Sequence, residues 1–152
     1  MIRRLRLEPH PEGGHYREIF RSAHLVRRDS DTRSAVTTIY FLLCRDEISR
    51  WHVVASDEIW HHYEGAALEI VTYQPEADRP EIVRLGPEAK ASRPVHTVPA
   101  GCWQSARTAG EYALVGCTVA PGFEFADFRF VADQPGHEAA FAGPLAAYRA
   151  LL

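Results

Sequence analysis

His52, Asp57, Glu58, His61 and His62 crowd into the stretch Ser49–Gly65, SRWHVVASDEIWHHYEG, among Trp51, Val53, Val54, Ile59, Trp60 and Tyr63. Imidazoles and carboxylates at this density can trade protons near neutral pH, or hold a divalent cation. Their β-branched and aromatic neighbours read as strand, where such groups are costly to bury without partners. They are therefore either solvated, or gathered around a ligand, a proton path or a metal.

Other elements must position that stretch. Ala35–Cys44 (AVTTIYFLLC) and Tyr112–Ala120 (YALVGCTVA) are long, apolar and rich in β-formers, as interior strands are. Shorter strand patterns lie at His15–Phe20, Ala67–Tyr73, Glu81–Leu85, Pro94–Val98 and Cys102–Arg107, separated by Gly and Pro turns. Residues 23–34 read as a loop or an exposed hairpin. In Phe123–Val131, Phe123 and Phe125 share one parity and Phe128 and Phe130 the other. A bulge near Ala126-Asp127 would keep all four on the core. Leu145, Tyr148 and Leu152 predict one short C-terminal helix over Ala139–Leu152, with Gly143-Pro144 at its start. Many short strands and almost no helix mean an all-β sandwich or barrel.

At 152 residues and 46% hydrophobic, the chain is expected to form a single domain over residues 1–152. A net charge of −3, with Arg scattered along the chain and Lys90 the only lysine, argues against nucleic acid as a partner. No run of about 18 apolar residues is present, so no membrane-spanning helix is expected. MIRRLRLEPHPEGG lacks the apolar core of a signal peptide. Cys44, Cys102 and Cys117 are odd in number and lack CxxC spacing, as in a reducing compartment. A cytoplasmic protein is the expectation.

Against this frame, His52-x-Val54-x3-Glu58-x6-Gly65 resembles the first motif of the cupin superfamily, and Pro99-Ala100-Gly101-Cys102-Trp103-Gln104 resembles the second. PHPEGGHYREIFRS, TTIYFLL, SRWHVVASDEIWHHYEG, VPAGCWQSAR and YALVGCTVAPGFEFADF resemble, in order, the cupin-5 family, a domain of unknown function. The resemblance implies a double-stranded β-helix, or jelly roll, with a homodimer formed through sheet faces. It also implies that the loop His10–Tyr16, with Glu12 and Tyr16, lines the mouth of a barrel that holds a small-molecule ligand.

The departures bear on the chemistry. In metal cupins the two His and the Glu of the first motif, with the His of the second, bind a divalent ion. Here His52 and Glu58 keep two of those positions, Val54 replaces the second His and Gln104 the last. A two-His, one-carboxylate site would need His62 or His61. If the strand runs regularly from Glu58, Trp60 and His62 share its face, whereas a bulge would exchange His62 for His61.

The catalytic expectation is His52, Glu58, His62 and Gln104, with Trp60, His61, Glu12 and Tyr16 contacting the ligand. The plainer alternatives are Glu58 paired with Arg107 or Arg50, ordinary histidines at positions 61 and 62, and tryptophans that fill the core. Two chemistries compete. One is acid–base isomerase or epimerase work next to a carbonyl of a small polar metabolite or sugar, with no resident metal. The other is a metal-dependent isomerase or dioxygenase on His52, Glu58 and His62 or His61. A non-catalytic ligand-binding module is the third reading.

Overall fold

The two most apolar runs pair with each other at the centre of a sheet, and the rest of the chain is laid out around them. The computed structural model describes residues 1–28 and 31–152. After the short helix α1 (Ile2–Leu5), the described strands are β1 (Glu8–Pro9), β2 (His15–Arg21), β3 (Leu25–Arg28), β4 (Asp31–Ser34), β5 (Thr37–Cys44), β6 (Ile48–Val54), β7 (Asp57–Gly65), β8 (Leu68–Tyr73), β9 (Glu81–Leu85), β10 (Val95–Val98), β11 (Trp103–Thr108), β12 (Tyr112–Ala120) and β13 (Phe128–Phe130).

A six-stranded sheet in the order β1-β2-β5-β12-β7-β10 lies against a five-stranded sheet in the order β13-β6-β11-β8-β9. From β5 onward the chain mostly alternates between the two, which is the double-stranded β-helix. Between them lies the main core, with Phe41, Trp60, Val115 and Cys117 from one sheet meeting Leu68, Ile70 and Ala106 from the other. Among the described residues no helix is long and apolar enough to cross a membrane.

Two bulges set which side chains face inward. Gln104 pairs with His52 but Ala106 pairs with Ser49, so Arg50 and Trp51 together oppose Ser105. The extra residue turns Ser49 onto the same inner face as His52, which a regular strand would forbid. In β7, Val115 pairs with His62 and Leu114 with Glu64, leaving Tyr63 as the extra residue.

The segment after β12 departs from the single bulged strand expected of it. A 3-10 turn at Phe125–Asp127 precedes the short β13, and Phe125 is half exposed, whereas Phe128 is buried and Phe123 and Phe130 are partly buried beside it. The β3–β4 hairpin is fastened to this turn. Arg28 and Arg33 donate to the Asp127 carboxylate at 2.6 and 2.9 Å.

At the C-terminus, one helix over Ala139–Leu152 is replaced by α2 (His137–Ala142) and a 3-10 helix, Ala146–Leu151. Gly143-Pro144 falls between them, and proline has no N–H to continue a helix. Both pieces cover the outer face of the five-stranded sheet, where Phe141, Leu145 and Leu151 pack on Trp51, Val71 and Trp103.

Candidate functional site

The bend after β1 is what brings a carboxyl into the barrel. Gly13 and Gly14 have φ of 116° and 65°, and a Cβ on Gly13 would lie 2.0 Å from the Ile48 carbonyl oxygen. Only glycine accepts that conformation at that approach. The turn is laced to β6 by the Arg50 N–H donating to the Glu12 carbonyl at 2.9 Å, which leaves the Glu12 side chain pointing inward.

There Glu12 meets Ser49 and His52. Ser49 Oγ donates to Glu12 Oε1 at 2.8 Å, and Glu12 Oε2 lies 3.4 Å from His52 Nε2 and 3.6 Å from His10 Nδ1. His52 Nδ1 sits 2.7 Å from the Arg50 carbonyl. That carbonyl can only accept, so the proton is on Nδ1 and the Nε2 lone pair faces Glu12 and the cavity. Phe128 stacks on the imidazole with centroids 5.2 Å apart and fixes its plane.

On the facing sheet, β7 presents Glu58 beside Cys117 of β12. The Gln104 amide donates to Glu58 Oε2 at 2.6 Å while its carbonyl accepts from Trp60 Nε1 at 3.1 Å. Gln104 thus bridges the two sheets and holds the carboxyl in place. Glu12, His10, His52, Glu58 and Cys117 border a cavity of about 300 Å³ with Tyr16, Phe41 and Phe128 on its walls and Glu18, Arg21 and Glu124 nearer its mouth.

Burial governs the charge states. Desolvation pushes Glu12 up to about 8, against the lowering effects of Ser49 and Arg50, so it carries a proton at pH 7. Desolvation also raises Glu58, and raises the Cys117 thiol well above its ordinary value. His52 is lowered by burial, and His10 is lowered by burial and by the nearby His52 to about 4. The site at neutral pH is a neutral imidazole beside a protonated carboxyl.

Of the residues expected from sequence, Glu12, Tyr16, His52 and Glu58 line the cavity. Four others do not. Gln104 and Trp60 stand behind Glu58 as its support, both 1% exposed. His62 shares the inward face of Glu58 and Trp60, but four residues further along the strand, about 13 Å away. Its Nε2 meets the Ala66 carbonyl at 3.1 Å instead. His61 pairs across from Gly116 on the outer face and stacks on Tyr63, centroids 6.5 Å apart. Glu58 pairs with neither Arg107, which binds Glu69 at 2.6 Å, nor Arg50.

This arrangement corrects the expected metal set. His62 and His61 cannot join His52 and Glu58, Val54 supplies no ligand atom, and both ends of the Gln104 amide are engaged. Among the described residues no group of three or more His, Cys, Asp and Glu is set to hold a metal ion. The donor set does not fit the metal centre implied by the motif.

Sequence reasoning missed Ser49, Cys117, Glu18, Arg21 and Glu124. Ser49 depends on the bulge and has no signal in the chain. The alternation of β12 places Cys117 inward with Val115 and Val119, a signal that was present.

The architecture has known counterparts. The description of the cupin superfamily (DUF985), Cupin_5, matches residues 1–131. The chain belongs to this cupin family. Among solved structures it is similar to a Shewanella oneidensis protein that is 34% identical, with a TM-score of 0.82 over 99% of this chain and 90% of the other. A hypothetical protein from Leishmania major is also 34% identical, with a TM-score of 0.77 over 84% of this chain and 83% of the other. Oxalate decarboxylase of Bacillus subtilis shares the cupin fold at 17% identity and a TM-score of 0.61, covering 95% of this chain but 37% of its own length. No curated protein matches the cupin-5 chain in sequence.

Proposed function

We propose that this cupin is an acid–base enzyme that moves a proton next to a carbonyl group of a small polar metabolite held in the barrel. The observation that carries the reading is the buried Glu12–His52 pair, 3.4 Å apart on the wall of the cavity. His52, locked as the Nδ1–H tautomer by the Arg50 carbonyl, offers Nε2 as the base. Glu12, kept protonated by burial, offers the acid.

The steps balance as an isomerisation. The substrate C–H bond breaks and its proton passes to His52 Nε2. The electron pair moves into an enol, while Glu12 gives its proton to the carbonyl oxygen. For an α-hydroxy carbonyl the imidazolium then delivers the proton to the former carbonyl carbon of the enediol, and Glu12 takes the proton of the other hydroxyl, which becomes the new carbonyl. Glu58 faces the same space from the opposite sheet, where Gln104 fixes its orientation. The apolar walls exclude water and strengthen each of these interactions.

Solvent-deuterium exchange tests this reading. A panel of small aldoses, ketoses and amino-carbonyl compounds in D₂O should gain deuterium at the carbon next to the carbonyl with the wild-type chain, and not with His52→Gln. Ligand binding without exchange anywhere in the panel would instead make the protein a binding module.

A further inference from the structure

Carboxyl groups outnumber cations around the cavity. Glu12, Glu58, Glu18 and Glu124 all border it, and Arg21 is the one Arg or Lys among the described lining residues. Arg21 is fully engaged. Its Nε and Nη2 donate to Glu18 at 3.0 and 2.8 Å, Nη1 to Glu124 at 2.7 Å, and Nη2 also to the Phe123 carbonyl at 3.0 Å. Arg50, on β6 two residues before His52, is not part of the lining. Its guanidinium lies 4.2 Å from the Phe130 ring centre and donates to the Pro11 carbonyl at 2.7 Å.

An entering carboxylate or phosphate would therefore find no free cation, and an unpaired buried anion is costly. An ammonium group finds the opposite surroundings. Tyr16, Phe41 and Phe128 line the cavity, an aromatic ring attracts a cation, and His52 Nε2 is a neutral acceptor. Glu12 Oε2 belongs to a side chain only 8% exposed, faces the cavity, and makes no hydrogen bond among the described residues. An ammonium arriving beside it would displace the Glu12 proton to solvent and pair with the carboxylate that remains, since a neighbouring cation favours the ionised form.

We propose that the cavity selects a small, ring-sized organic amine, bound as the ammonium between Glu12 and Glu58, and rejects anionic ligands of the same shape. A volume of about 300 Å³ admits one six-membered ring with short substituents. This inference goes beyond the acid–base reading and shares with it only the cavity.

Calorimetry with three probes of one shape tests the proposal on the full chain at pH 7: cyclohexylamine, cyclohexanol and cyclohexanecarboxylate. The amine should bind roughly tenfold or more tighter than the alcohol, and the carboxylate should give no heat. Glu12→Gln and Glu58→Gln should each bring the amine down towards the alcohol, with alcohol affinity retained as the sign of an intact cavity. Carboxylate binding equal to that of the amine, an amine no better than the alcohol, or binding of none of the three would overturn the proposal. Amine selectivity without deuterium exchange leaves this inference standing and removes the acid–base one. Exchange on neutral or acidic compounds without amine selectivity does the reverse.

Discussion

Oε2 of Glu12 faces Nε2 of His52 at 3.4 Å, with the two side chains 8% and 2% exposed. The partners come from different sheets' worth of chain, one from the loop before β2 and the other from β6. Each is driven towards its uncharged form by burial, so the contact is a neutral acid beside a neutral base.

Stability should record this. Glu12 in the folded chain holds its proton up to about pH 8, whereas the unfolded chain loses it near 4.5. Between those values the folded state binds more protons, so stability falls as pH rises, by on the order of 5 kcal/mol in all. Glu12→Gln should flatten that slope in urea unfolding measured from pH 5 to pH 8. An unchanged slope would show that Glu12 is ionised in the fold.

Catalysis should share the same upper limit. Deuterium exchange should decline above about pH 8, as Glu12 loses the proton it donates. His52→Gln should lower the rate by about 10²- to 10⁴-fold, with an unchanged circular dichroism spectrum. His62→Asn should leave the exchange rate unaltered, because His62 bonds the Ala66 carbonyl away from the cavity.

Gln104 matters through Glu58. Gln104→Ala removes the amide that donates to Glu58 at 2.6 Å and accepts from Trp60 at 3.1 Å, leaving two buried polar groups unsatisfied and a void. A loss of about 2–4 kcal/mol is expected in chemical denaturation, with a shift in tryptophan emission. Gln104→Glu should cost more at pH 8 than at pH 5, as two facing carboxyls compete for one proton.

Asp127 ties the β3–β4 hairpin to the turn that carries Phe125 and Phe128. Its two arginines hold the carboxyl down at about 2, below its ordinary 3.8. A folded value below the unfolded one stabilises the chain above about pH 4, and that contribution disappears as pH falls through 2. Asp127→Asn should therefore lower stability at pH 7 by about 2 kcal/mol and remove the matching part of the acid-unfolding slope. Equal acid sensitivity in both proteins would exclude the clamp.

The fold was legible because it depends on local patterns. The apolar runs at Ala35–Cys44 and Tyr112–Ala120 pointed to central strands, and β5 and β12 are neighbours in the sheet. Parity from Glu58 correctly put Trp60 and His62 on one face. It could not say that the cavity ends before His62 does, because depth within a barrel is set by the opposite wall. The C-terminal helix was read as one piece because Leu145, Tyr148 and Leu152 keep helical spacing, although Gly143-Pro144 divides it.

By itself, the sequence determined the all-β frame, the cupin motifs, the loss of ligand character at Val54 and the candidacy of His52 and Glu58. Each of these follows from residue type and near-neighbour spacing. Tertiary structure alone decided that Glu12 is the partner of His52, that the bulge at Arg50-Trp51 turns Ser49 inward, and that Gln104 serves Glu58 from the opposite sheet. Those contacts join residues 37 to 46 positions apart or hinge on one extra residue in a strand, and the desolvation that sets their charge exists only once both sheets have closed.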